Sequence, residues 1–222
     1  MRKIIFVLAA SLFVFGKCNK DDGNTTVTTD TYLPSTVGTN WTYRVVTPTA
    51  TSTVTYTVTN RDTTFSGISS KFQVISGSNS SFQYYRKSSS DYFTVRAVAS
   101  GVLELNFLKD DKNVNDTWST SQLLSGLSGL PGGITSVTMN TTYTIKAKGT
   151  TRVVNGNTYN NVIQVRADLA AAVPLFGSLP FGGADFYFAK NIGIIESNVQ
   201  IANATAGINI NEQQTLQSYV IK

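Results

Sequence analysis

The chain has 222 residues, with 18 Lys and Arg against 13 Asp and Glu (formal net charge +5), one cysteine and no histidine. Without histidine there is no Ser-His-Asp or Cys-His catalysis and no His-ligated zinc, and one cysteine cannot form an internal disulfide. Charged residues are 14% of the chain, against roughly 25% in ordinary soluble domains, so Ser, Thr and Asn carry most of the polarity.

The chain begins Met1-Arg2-Lys3, followed by an apolar run from Ile4 to Phe15 and then Gly16-Lys17-Cys18. The run is too short for a bilayer span, which needs about 20 residues, and it suits the apolar region of an export signal. Phe15-Gly16-Lys17-Cys18 resembles the end of a bacterial lipoprotein signal, with Lys17 where a small residue is usual. The resemblance implies removal of residues 1–17 and acylation of Cys18 (palmitate among the chains), with no cofactor. Three acyl chains, at ~0.8 kcal/mol per buried CH₂, would anchor the protein permanently. A plain secretory signal followed by an incidental thiol is the alternative. The next residues, Lys20, Asp21 and Asp22, are similar to the Lys-acidic-acidic signal that sends lipoproteins of the Bacteroidota to the cell surface. The expected location is therefore the outer membrane, lipid-anchored and surface-exposed, with a periplasm-facing position as the alternative.

Losing residues 1–17 removes Arg2, Lys3 and Lys17 and no acidic residue, which leaves 205 residues with a charge of +2. No clustered basic stripe remains, so nucleic acid is not an expected partner. Residues 18–31 hold the cysteine and a polar tether. The thirteen residues Asn19–Thr31, if flexible, reach roughly 20 Å.

Residues 32–222 read as one antiparallel all-β domain with little helix: a strongly curved sheet, partly open barrel or sandwich of ten or more strands. In Thr51–Asn60, Val54, Tyr56 and Val58 share a face opposite four threonines. In Val137–Ala147, Val137, Met139, Thr141, Tyr143 and Ile145 alternate with polar residues. Alternation of β-branched and aromatic residues marks half-buried strands. Other candidate strands are Trp41–Val46, Phe72–Ile75, Phe82–Arg86, Tyr92–Val98, Val102–Leu108, Tyr159–Ala167, Phe186–Ala189, Ile192–Val199 and Leu216–Ile221. Asn155-Gly156 accepts the positive φ values of a type I′ hairpin turn. Ser121–Leu130 is the one window suited to a short helix.

Leu123–Ile134 and Leu169–Gly183 are apolar but punctuated by Gly and Pro, too broken for regular strands and too apolar for ordinary loops. Three roles fit them: a cover over the open end of a curved sheet, the lips of an apolar groove, or loops that contact a membrane. In the second, Leu127, Leu130, Val173, Leu175, Phe176, Leu179 and Phe181 are the expected ligand contacts.

Trp41 and Trp118 each follow a turn-like polar stretch and read as core aromatics that pin strand register, with sugar stacking as the alternative. Tyr32-Leu33-Pro34, Val37-Gly38, Trp41 and Tyr43 together resemble the start of an uncharacterised family of Bacteroidota lipoproteins. Gly156–Val162, Tyr187–Ile195 and Leu216–Tyr219 extend the likeness. It implies an exported all-β domain and no assigned activity. Asp185, Lys190 and Glu196 around Gly193 read as a strand turn with charges at its rim. Lys109–Asp116 reads as a polar turn, because it lacks the ligand alternation, Gly and Glu of a calcium loop. No metal or other cofactor is expected.

The function expected from the sequence is non-enzymatic: a membrane-anchored binding or envelope protein for an apolar or amphipathic ligand. Alternatives are a glycan-binding accessory protein using Tyr84, Tyr85, Tyr92 or Trp118, and, less favoured, a carboxylate-based hydrolase. Oligomeric state is not legible.

Overall fold

In the computed structural model the described residues are 31–98, 101–125, 135–173, 177–203 and 208–222. Cys18, Lys20, Asp21, Asp22, Leu127, Leu130, Leu175 and Phe176 lie outside them. Among the described residues there are twelve strands and no helix: β1 (Asn40–Val46), β2 (Thr51–Phe65), β3 (Ile68–Gly77), β4 (Phe82–Ser88), β5 (Asp91–Val98), β6 (Gly101–Lys109), β7 (Thr117–Ser125), β8 (Ser136–Val154), β9 (Asn157–Val173), β10 (Gly177–Ala189), β11 (Gly193–Asn203) and β12 (Ile208–Val220). Apart from β6 with β7, each pairs antiparallel with its sequence neighbours, and β12 pairs with β1. The one break in the ring falls between β6 and β7. The result is a nearly closed, barrel-like sheet.

The period-two pattern sets which way the side chains face. Trp41 and Tyr43 point inward opposite Tyr56 and Val54, and Tyr143 and Ile145 do so opposite Ala167 and Val165. Thr42, Arg44, Thr53 and Thr55 alternate with these and face outward. A side chain fully withdrawn from water contributes about 1.5–3 kcal/mol. A one-residue slip would turn every inward residue out, so the alternation also fixes register. The type I′ turn forms as expected, with Asn155 at φ 49° and Gly156 at φ 80°.

One end of the barrel is plugged. Tyr32 and Leu33 run under it and are buried against Tyr92, Phe107, Leu108 and Phe188. The Tyr92 hydroxyl accepts from the Tyr32 amide (3.2 Å) and donates to Asp110 Oδ2 (2.7 Å). Trp41 is buried at this end, its indole N–H donating to the Ile192 carbonyl. It is the core aromatic expected from the sequence.

The seam between β6 and β7 is closed by side chains. Gln122 donates to the Val102 carbonyl and accepts from the Glu104 amide (3.2 Å), while the Trp118 indole donates to the Asn106 carbonyl (2.7 Å). Backbone groups on an unpaired edge need partners. Here a side-chain amide stands in for a missing strand residue.

Two expectations are overturned. Ser121–Ser125 belongs to β7 and is extended, not helical. Leu169–Gly183 is not too broken for strands: residues 169–173 end β9 and residues 177–183 begin β10. The register slips between Pro180 and Gly182, with Gly182 at φ 101°. That bulge lets proline sit in a strand, where it cannot donate to a regular ladder.

Candidate functional site

The barrel encloses a cavity of about 500 Å³, within the ~300–1,000 Å³ usual for small-molecule sites. Its floor is aromatic: Tyr43, Tyr85, Phe107, Tyr143 and Phe186, with Ile194. Leu105, Met139, Ala167, Leu169, Phe181, Ala184 and Val199 line the walls. Ala167 and Ala184 are small, and this leaves the space open. Toward the end opposite the plug, Leu103, Arg96, Ile201, Ile210 and Glu212 complete the lining, and Arg96 and Ile210 remain exposed to solvent.

Phe181 enters the cavity because of the bulge. Pro180 pairs with Ala170 and Gly182 with Leu169, which leaves Phe181 as the extra residue. Its ring fills space beside a glycine that has no side chain of its own.

The floor hydroxyls stay neutral. Burial raises the Tyr43 hydroxyl well above the ordinary tyrosine range, and that group donates to the Ile194 carbonyl (2.8 Å). Burial also raises Tyr85, whose hydroxyl donates to Gln83 Oε1, although the nearby Arg96 charge opposes the rise. Tyr143 is raised by burial too. The hydroxyls of Thr120 and Thr141 work against the shift without meeting hydrogen-bond geometry, so the buried Tyr143 hydroxyl has no hydrogen-bond partner among the described residues. Its ring stacks on Trp118 at 5.4 Å and 10°.

Of the expected ligand contacts, Phe181 lines the cavity. Val173 lies in β9, and Leu179 stands exposed near the start of β10, outside the lining. The sequence reading looked for a groove between two apolar segments. It missed the interior positions of β4–β6 and β11–β12, whose alternation signals a core face without telling a filled core from a hollow one.

The rings proposed for sugar stacking do not form an exposed row. Tyr92 is fully buried, Tyr85 faces the cavity, Trp118 stacks on Tyr143, and Tyr84 packs edge-on to Phe65 on the outer wall. Asp185, Lys190 and Glu196 flank a strand turn, as read, but the two carboxylates are paired instead of free at the rim. Asp185 meets Arg166 (2.8 Å), and Glu196, largely buried, meets Arg152 (2.8 Å). Lys109–Asp116 is the polar turn expected, and Lys148 Nζ donates to its Asp110 and Lys112 carbonyls (2.8 and 2.9 Å). No group of three His, Cys, Asp or Glu that could hold a metal occurs among the described residues.

The fold and site thus define a barrel-like antiparallel sheet with a plugged end and an apolar interior cavity. No family model matches the chain, and no curated protein does. Two similar solved structures are a "putative lipoprotein" from Parabacteroides distasonis and a "putative exported protein with YmcC-like fold" from Bacteroides fragilis. Each is 11% identical with a TM-score of 0.41, covering 86% of this chain and 99% or 100% of its own. A likeness this distant carries no argument about what this chain does.

Proposed function

We propose that this protein is a lipoprotein of the outer membrane, acylated on Cys18 and displayed on the cell surface, whose barrel is a non-enzymatic container for an apolar or amphipathic ligand. The observation that carries the reading is the 500 Å³ interior cavity, floored by aromatic rings and closed at the plugged end. The outward positions of β1 are Asn40, Thr42, Arg44 and Val46, and those of β2 from Thr51 to Thr59 are all threonine. A transmembrane barrel needs an apolar outer band there, so the exterior suits water. The described chain starts at Thr31 beside the plug, at the end of the barrel away from the cavity mouth.

The absence of an enzymatic role is supported by how the carboxylates are engaged. Asp91, Glu104, Asp168, Asp185 and Glu196 are all in ion pairs. Glu212 is the one carboxylate among the described lining residues, whereas glycosidase chemistry needs two facing each other ~5–9.5 Å apart.

The test uses the full chain carrying Cys18→Ser, which removes any attached acyl chain. It should bind the neutral apolar dye Nile red at one site, and Ala184→Phe, which fills the cavity, should abolish binding while the chain stays folded. Binding that survives Ala184→Phe, or no binding by the folded chain, overturns the container reading. Mass spectrometry of protein from its native membrane should find Cys18 acylated, and protease treatment of intact cells should remove the barrel. An unmodified cysteine defeats the anchor.

A further inference from the structure

Arg96 and Glu212 are the two charged residues among the described lining of an otherwise largely apolar cavity. They stand on different walls. Four strands separate β5 from β12 in one direction round the sheet and six in the other, which sets them nearly opposite each other at the mouth.

Their surroundings differ in kind. Tyr85 pairs with Thr94 across β4 and β5. Gln83 and Arg96, each two residues nearer the mouth on the same face, continue that wall. The Tyr85 hydroxyl donates to Gln83 Oε1, so the Gln83 amide is left to present its N–H groups beside the guanidinium. Arg96 has no carboxylate partner among the described residues. Its influence on the Tyr85 hydroxyl shows that its charge acts on this wall. Here, then, a guanidinium without a carboxylate partner and an amide N–H stand side by side toward the mouth, beyond the hydroxyls of Thr94 and Tyr85. On the other wall Glu212 already accepts from Gln214 (2.7 Å), so its charge has a donor in place. An anion therefore meets a guanidinium without a counter-ion on the first wall, while on the second the Glu212 carboxylate already has one donor, Gln214, against it.

We infer that the ligand is a long-chain carboxylate, bound with its head on Arg96 and Gln83 and its chain running down to Phe107 and Phe186. This rests on the container reading and names its ligand class. A charge-assisted hydrogen bond from a guanidinium is among the stronger polar contacts, and rim exposure puts its worth at the lower end of the usual range, about tenfold in affinity. Each CH₂ buried along the floor should tighten binding about fourfold until the cavity is full.

The experiment measures displacement of Nile red from the full Cys18→Ser chain by a fatty acid and by the alcohol and amine of equal chain length, all below micelle-forming concentrations. The expected result is that the acid binds about tenfold tighter than the alcohol. Arg96→Gln should erase that preference and leave the alcohol's affinity unchanged. Arg96→Lys should keep part of it, and Glu212→Gln should leave or increase it. Equal binding of acid and alcohol overturns the inference while the container reading stands. So does a preference for the amine that Glu212→Gln removes. If none of the three displaces the dye, the inference fails, and the container reading is decided by the Ala184→Phe result alone.

Discussion

Gln122 closes the barrel against Val102. Its side-chain amide donates to the Val102 carbonyl and accepts from the Glu104 amide, which is the pattern a strand residue would offer. The seam has no backbone ladder between β6 and β7. Its integrity rests on this residue and on Trp118.

Replacing Gln122 with Leu should therefore leave two edge groups without partners, at a cost of about 1–3 kcal/mol. The check is the denaturation midpoint together with hydrogen exchange. The Glu104 amide should lose protection while amides of β9 keep theirs. Unchanged protection at Glu104 would mean that the edge does not depend on Gln122.

Gly182→Ala should be among the most damaging single-methyl additions. A Cβ there would lie 2.1 Å from the Gln200 carbonyl oxygen, in a backbone at φ 101° that L-residues rarely adopt. Strain and overpacking together suggest about 2–4 kcal/mol. The bulge that aims Phe181 inward should loosen as well, so Nile red affinity should fall with stability. Gly156→Ala, where no atom lies within 4 Å of the added Cβ, should cost less and leave dye binding intact.

Arg152 lies over the Tyr187 ring at 3.4 Å and donates to Glu196 Oε2 through Nε (2.8 Å). The carboxylate is largely buried, so Arg152→Ala strands a charge, while Glu196→Gln leaves a neutral amide. A fully buried pair broken on one side loses ~3–5 kcal/mol; partial exposure of Arg152 lowers the expected loss to about 2–3. Thermal melts should rank Arg152→Ala below Glu196→Gln. The reverse order would show that the ring contact and ion pair contribute little.

The tyrosines predict loss of stability in alkali. Burial raises Tyr43, Tyr85 and Tyr143, and raises Tyr92 to about 12 from an ordinary 10.0. A group whose folded value is raised gives stability that is fully present below its unfolded value and lost as pH climbs through the folded one. Stability from these groups should thus hold to about pH 10 and then decline, by up to ~1.4 kcal/mol per pH unit for each tyrosine titrating in the window. Tyrosinate absorbance followed with the unfolding midpoint checks this. Tyr92→Phe should flatten the decline between about 10 and 12, and should cost about 1 kcal/mol at neutral pH through its lost hydrogen bonds.

Most strands were legible because each needs only local information. Val54, Tyr56 and Val58 alternate with threonines, and Asn155-Gly156 announces its turn. β7 was not legible, and the reason is physical. Its inward residues Thr120 and Gln122 are polar, and Gln122 must satisfy the β6 edge; its Leu123 faces out and is 62% exposed. The requirement that closes the seam thus inverts the pattern that would have revealed the strand. Leu169–Gly183 misled in the opposite way. Glycine and proline read as breakers, yet a bulge accommodates both and uses the extra residue to bring in Phe181.

By itself the sequence determined the all-β class, the inward faces of β2 and β8, the type I′ turn and the absence of histidine chemistry. These follow from side-chain period, turn conformation and composition, all local to a few residues. Only the tertiary structure decided that β12 returns to β1, that the interior is hollow, and that Arg96 and Glu212 face each other across it. Pairing of distant strands and the volume they enclose depend on register summed around the whole sheet, and no short window of sequence contains that sum.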